Sequence, residues 1–179
     1  MNSQKYRELR QLISETVCQL PALDARNVQI REIDHLALES QTQWCHAEGQ
    51  GIGWDWYEIM MLYRRDEVDR VDMAIWADEI LTGLALGKVS AGKLVVRVNF
   101  LEANGDKAHP LKGLVFPIVD TWLEQYAVAL GAEYIGVQEP YEGVKDYYRQ
   151  FGYEDSDPFD PRNNAMVRRV EIDQPTEVE

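Results

Sequence analysis

Between positions 111 and 130 one apolar face persists without interruption. Leu111, Leu114, Val115, Ile118, Val119, Trp122, Leu123, Tyr126, Ala127 and Leu130 recur at steps of three and four, the spacing of an amphipathic helix packed on a core. Pro117 is tolerated only near a first turn, so the helix is expected to start at about 113–116. Gly131 is its expected stop. A buried strand is expected over 133–138, where Tyr134, Ile135 and Val137 crowd together. Before the helix the period changes. Val71, Met73 and Ile75 alternate, followed by apolar runs at 80–88 and 94–101. Short breaks at 77–79 and 90–92 make these three runs an antiparallel meander. A helix between the third run and the next strand brings the chain back parallel, as a βαβ crossover. The expected class is α/β (α+β): a mixed sheet, meander first and crossover second, flanked by helices.

The flanking segments complete this plan. Residues 3–20 read as a helix with Tyr6, Leu9, Ile13, Val17 and Leu20 on one stripe, Ser3 as cap and Pro21 as stop. A short strand is expected at 27–33, a helix at 35–47 and another from Trp54 to about Arg65. Gly49, Gly51 and Gly53 between them lack the preceding strand and the spacing of a dinucleotide loop, so they read as a connection. A short helix at 141–150, an Asp/Pro-rich loop at 155–162 and a last strand at 165–172 follow. The acidic tail from Asp173 to Glu179 is expected to fray. At 179 residues the whole chain, 1–179, is expected to form a single domain.

Charge narrows the partners. Thirty-one acidic residues against 18 Lys and Arg give −13, which opposes general nucleic-acid binding and suits a cationic partner. No apolar run nears the roughly 20 residues a bilayer span needs, and the polar first ten residues show no secretory signal. Cys18 and Cys45 make no disulfide framework. They read as reduced thiols, so a cytoplasmic location is expected. His35, His46 and His109 are scattered, and Cys45-His46 lacks a second ligand pair at zinc spacing, so no metal is expected.

Two stretches carry a resemblance. Pro110-Leu111-Lys112-Gly113-Leu114-Val115 opens the long helix, and Tyr141-Glu142-Gly143-Val144-Lys145-Asp146-Tyr147-Tyr148-Arg149-Gln150-Phe151-Gly152-Tyr153 follows the next strand. With the element order, they resemble the Gcn5-related N-acetyltransferase (GNAT) family, most clearly from about Arg70 to Tyr153. The first matches the family's Gln/Arg-x-x-Gly-x-Gly/Ala at Gly113, with Pro110 and Val115 at the two departing positions. The second matches Asn-x-x-Ala-x-x-Phe-Tyr-x-x-x-Gly-Phe at the paired tyrosines, the glycine and the last aromatic; Tyr141 and Val144 depart.

The resemblance implies an acetyl-CoA-dependent N-acetyltransferase acting on an amine of a small molecule or protein. Lys112, Gly113, Leu114 and Val115 would hold the pyrophosphate at a helix N-terminus. Phe100 and Leu101, at the end of the third meander strand, would hold the pantetheine arm. Tyr148 falls where the family often keeps the acid for the leaving thiolate, a role open to a phenol that stays protonated at neutral pH. Glu102 is the first candidate general base and Glu58 the second. Trp54, Trp56, Tyr57 and Glu58 lie where the family builds its acceptor pocket, and aromatics beside Asp55 and Glu58 suit a cationic amine. Packing is the plainer role for those aromatics and for Tyr147 and Tyr148. Two other readings stand beside the enzyme: a catalytically silent GNAT-like protein that binds a partner or a CoA-type ligand, and an acidic mimic of nucleic acid. A homodimer through apolar positions near the N-terminal helix is also open.

Overall fold

Asn2 starts the first helix, because its side chain can accept the Lys5 amide at 3.0 Å. Ser3, expected as the cap, is instead the first helical residue of α1 (Ser3–Cys18). Tyr6, Ile13 and Val17 are buried as the stripe requires. Leu20 lies past the helix end and is 40% exposed. The computed structural model describes residues 2–44, 53–63, 68–160 and 162–171. Its further elements are α2 (Pro21–Asp24), β1 (Val28–Arg31), α3 (His35–Gln41), α4 (Trp56–Tyr63), β2 (Val71–Ala77), β3 (Ile80–Val89) and β4 (Val95–Ala103). They continue with α5 (Val115–Leu130), β5 (Tyr134–Gln138), a 3-10 turn at Glu142–Val144, α6 (Lys145–Arg149) and β6 (Ala165–Arg169). The expectations for Cys45, His46, the glycines at 49 and 51, Arg65 and the tail at 173–179 fall outside the described residues.

The strands form one six-stranded sheet in chain order, β1 to β6. Every neighbouring pair is antiparallel except β4 with β5, which pair in parallel from Val95↔Tyr134 to Val98↔Val137. The crossover between them is α5, which starts at Val115, so Pro117 sits in its first turn where its missing N–H costs nothing. The strand period of two sends alternate side chains to opposite faces. Val71, Met73 and Ile75 of β2 join α1 and α5 in one core; Ala74 and Trp76 join Trp44, Trp56 and Met60 in a second core on the other face. With both faces covered, all seven residues of β2 are buried. The first core is tied by a hydrogen bond from Trp122 Nε1 to Ser14 Oγ at 3.0 Å, joining α5 to α1.

Two charged clusters hold the edges. Arg10, only 4% exposed, donates to Glu32 Oε1 and to the Val68 carbonyl. Arg97 pairs with Asp157, which is 1% exposed and also accepts from the Asn163 side chain and the Phe159 amide. Burial pushes both carboxyls up, but these donors outweigh it and hold Glu32 and Asp157 below their ordinary range. Each folded-state value lies below its unfolded value of about 4. The stabilisation is therefore complete above that value and is lost as pH falls through the folded-state values. These two carboxylates are expected to lower the urea midpoint as pH drops below about 4; a profile flat between pH 5 and pH 3 would show that neither pair stabilises the fold.

Candidate active site

The parallel pairing of β4 with β5 ends at Val98 and Val137, yet β4 runs on to Ala103. The cause is a bulge. On β3, Leu86 faces Phe100 but the next residue, Gly87, faces Val98, so Asn99 is an extra residue with no partner of its own. Gly87 permits this close approach: a Cβ there would stand 2.7 Å from Val98 Cα and 2.8 Å from the Arg97 carbonyl carbon. Past the bulge the β5 side of β4 opens into a cleft of about 610 Å3. One wall is Val98, Asn99, Leu101 and Glu102. The other is Val137 to Tyr141 with Tyr147 and Tyr148, and Phe116 of α5 and Trp54 also line it.

Tyr148 is 8% exposed and packs on Phe116 at 4.6 Å between ring centres. Its hydroxyl has no hydrogen-bond partner among the described residues, and the residue lines the cleft. Burial pushes the phenol up to about 12, helped by Tyr147 beside it. Across the opening, Glu102 is half-buried and accepts a hydrogen bond from Trp56 Nε1 at 2.5 Å. Trp56 is 1% exposed, so it supports the carboxylate from within the core. Glu102 and Glu139 are the charged residues among those lining the cleft, and no Lys, Arg or His joins them among the described residues. Glu139 is exposed and held at φ 47 in the turn after β5.

The N-terminus of α5 meets this cleft at Phe116. The amides of Lys112 and Leu114 are used by His109 and Leu111 carbonyls. Those of Gly113, Val115 and Phe116 find no acceptor among the described residues, and the cap residue Leu114 gives no side-chain bond. Such amides, at the positive end of a helix, fit an anionic group. Gly113 takes φ +76 with open space where a Cβ would be, and Lys112 is exposed beside it. Val115 does not crowd this cradle. It is 4% exposed and faces the sheet, filling the space above Gly83 so that a Cβ on Gly83 would lie 2.5 Å from its Cγ1.

The other sequence candidates sit elsewhere. Phe100 is half-buried on the opposite face of the sheet, edge-on to Trp54 at 5.1 Å and Tyr63 at 5.3 Å. Tyr57 and Glu58 are exposed on α4 and do not line the cleft; the Glu58 amide is capped by Asp55 at 3.0 Å. Asn99 and Glu139 were not singled out in sequence, and Tyr141 stood there only as a departure from the second motif. Asn99 left one signal there, a polar residue within the run Val95 to Leu101. No helix among the described residues is long and apolar enough to cross a membrane, and no group of three His, Cys, Asp or Glu among them could hold a metal ion.

No family model and no curated protein sequence matches the chain. Solved structures do. An acetyltransferase of the GNAT family from Staphylococcus aureus Mu50 superposes with a TM-score of 0.58 at 10% identity, covering 80% of this chain and 99% of that one. The ribosomal-protein-S18-alanine N-acetyltransferase from Escherichia coli gives 0.55 at 9%, covering 83% and 97%. An aminoglycoside 6'-N-acetyltransferase solved with coenzyme A gives 0.56 at 13%, covering 82% and 98%. At these identities the likeness is one of architecture: the chain has the GNAT fold, and its structural neighbours are acetyltransferases.

Proposed function

We propose that the chain transfers an acetyl group from acetyl-CoA to an amine. The observation that supports this best is the meeting of three features at one opening: β4 released from β5 at the bulge, unused amides at the start of α5, and Tyr148 with Glu102 along the walls. When bound, acetyl-CoA supplies the acetyl group as a thioester. The amides of Gly113, Val115 and Phe116, with Lys112, would hold its pyrophosphate. The edge of β4 at Phe100 and Leu101, past its last β5 pair, would hold the pantetheine arm and offer an N–H to the reacting carbonyl. Glu102, oriented by Trp56, would take the proton that the attacking amine must lose. Trp54 closes the acceptor side with Glu102, and the acidic lining favours a cationic amine.

Tyr148 has a narrower role than full proton transfer. A phenol held near 12 is a weaker acid than a thiol of reference value ~8.5 by roughly three powers of ten. It therefore serves as a fixed hydrogen-bond donor to the departing sulfur, and solvent completes the protonation.

Titration calorimetry with acetyl-CoA, and with free CoA as control, tests the reading. Binding in the micromolar range is expected. Gly113→Ala is expected to weaken it about tenfold, since left-handed backbone costs a residue with a Cβ roughly 1–2 kcal/mol and relaxation turns the amide away. No binding at high micromolar ligand would leave the silent, partner-binding scaffold as the better reading.

A further inference from the structure

We propose that His109 is a pH-sensitive latch on the α5 cradle: the neutral imidazole seats the loop in front of α5, and protonation in mild acid unseats it and releases a bound anion. This rests on the acetyltransferase reading and adds regulation of the same site. The starting observation is how the loop is held. Asp106, Lys107, Ala108, Pro110, Lys112 and Gly113 are exposed, whereas His109 and Leu111 are only 7% and 0% exposed. The hydrogen bonds of residues 105–113 stay local among the described residues. The Asp106 amide donates to Asn104 Oδ1 and the Ala108 amide to Asp106 Oδ1, both at 2.9 Å, and the His109 amide donates to the Asp106 carbonyl at 3.3 Å. Two buried side chains therefore seat the loop. Leu111 joins the first core and is indifferent to pH. His109 is not.

Its Nδ1 is buried without a hydrogen-bond partner. A neutral ring can leave Nδ1 as an unfilled acceptor, but an imidazolium carries an N–H on both nitrogens. The seated ring would then hold an unpaired donor and a charge away from water, and both are costly. The charged groups that act on the ring are Asp106 and Lys112, both from the loop itself, with none from β3, β4 or α5 among the described residues. Burial pushes the imidazole below its ordinary value; Asp106 pulls it back, and Lys112 adds to the depression. The unseated ring regains the ordinary value of about 6.5. With the seated value below the unseated one, the seat is fully stable above about pH 6.5 and weakens as pH falls below it. The backbone passes this on. The Lys112 amide donates to the His109 carbonyl at 3.2 Å, and the Leu114 amide to the Leu111 carbonyl at 2.9 Å. These two turns run into Gly113 and the first amides of α5, so a loop that leaves its seat disturbs the cradle. A ring that instead touched the anion would attract it once protonated, so the latch predicts the opposite sign of pH dependence.

The test compares the native chain with His109→Gln, which does not titrate, from about pH 8 to pH 5. The His109 ring is followed by NMR, its signal assigned by its loss in the variant, and is expected to titrate below about 6.5. Exchange of the Lys112 and Leu114 amides, corrected for the intrinsic effect of pH, is expected to rise about tenfold in the native chain from pH 7.5 to 5.5, as one proton enters the unseated ring. In His109→Gln it is expected to stay level. The native Kd for CoA, divided by that of the variant, is expected to rise about tenfold per pH unit below the NMR midpoint; the ratio cancels titration of the ligand's own phosphates. Tighter binding by the native chain in acid would overturn the latch, as would equal Kd profiles in the two chains or a His109 midpoint at or above about 6.5. If CoA binds neither chain at any pH, the acetyltransferase reading falls and amide exchange still decides the latch: a rise confined to the native chain supports it, and equal profiles overturn it. Should His109→Gln fail to fold, His109→Leu fills the seat without a titrating group, and the native chain's own titration and exchange stand without either variant.

Discussion

Tyr148→Phe is expected to lower kcat about a hundredfold, the lower end of what a positioned acid or hydrogen-bond donor contributes. The Kd for CoA and the melting temperature are expected to stay near those of the native chain. The reason is specific to this hydroxyl. The ring of Tyr148 packs on Phe116 and near Tyr153, but no protein group among the described residues holds its oxygen. Phenylalanine keeps the ring contacts and loses the donor alone. The pH profile gives a second check. With its phenol near 12, Tyr148 does not titrate in the working range, so kcat should rise with amine deprotonation and show no alkaline fall below about pH 10. Unchanged turnover in Tyr148→Phe would remove the tyrosine from the mechanism and leave it a packing residue.

Gly87→Ala is expected to destabilise the fold by about 3 kcal/mol, the upper part of the range for overpacked sites. At this chain length that is a fall in Tm of roughly 6–12 °C. The added methyl would meet the backbone of Arg97 and Val98, which belongs to a central strand and cannot swing aside as a side-chain tip can. Relief requires β3 and β4 to separate at the bulge, and that changes the wall of the cleft. CoA affinity should therefore fall with stability, in contrast to Tyr148→Phe. A Tm within 2 °C of the native chain would mean that the two strands are not held this closely.

The backbone plan was legible because it follows from period and punctuation. Pro117 and Gly131 bracket α5, and the apolar stripe between them needs no other residue to be recognised. The parallel join of β4 and β5 followed from placing that helix between two strands. The site was legible only in part. Tyr148, Glu102, Leu101 and Trp54 lie along the cleft, and Gly113 takes a positive φ just before α5. The bulge was invisible because it is a property of two strands: Asn99 is extra only relative to Leu86 and Gly87. The direction of Val115 depends on the missing side chain of Gly83, more than thirty positions earlier in the sequence. Helix phase explains Tyr57 and Glu58. Once Trp56 and Met60 are buried one turn apart, their neighbours on α4 must face outward. Trp56 itself donates its indole N–H to Glu102, 46 residues away, a pairing that no local pattern announces.

The one parallel ladder also divides the molecule mechanically. Strands β1 to β4 pair among themselves and β5 pairs with β6; the two blocks are joined by the four residue pairs from Val95↔Tyr134 to Val98↔Val137, by the Leu94 carbonyl at the start of that ladder, by the Arg97–Asp157 pair and by the helix that packs across both. This seam is only four pairs long, as short as the ladder of β1 with β2, and the cleft is its continuation. Opening the seam by a few degrees widens the cleft without breaking a hairpin. Local openings of this kind are lower in free energy than global unfolding, so the amide protons of Gly136 and Gln138, on the β4 side of β5, should exchange faster than those of Met73 and Ile75. A ligand that bridges both walls would clamp the two blocks and slow that exchange.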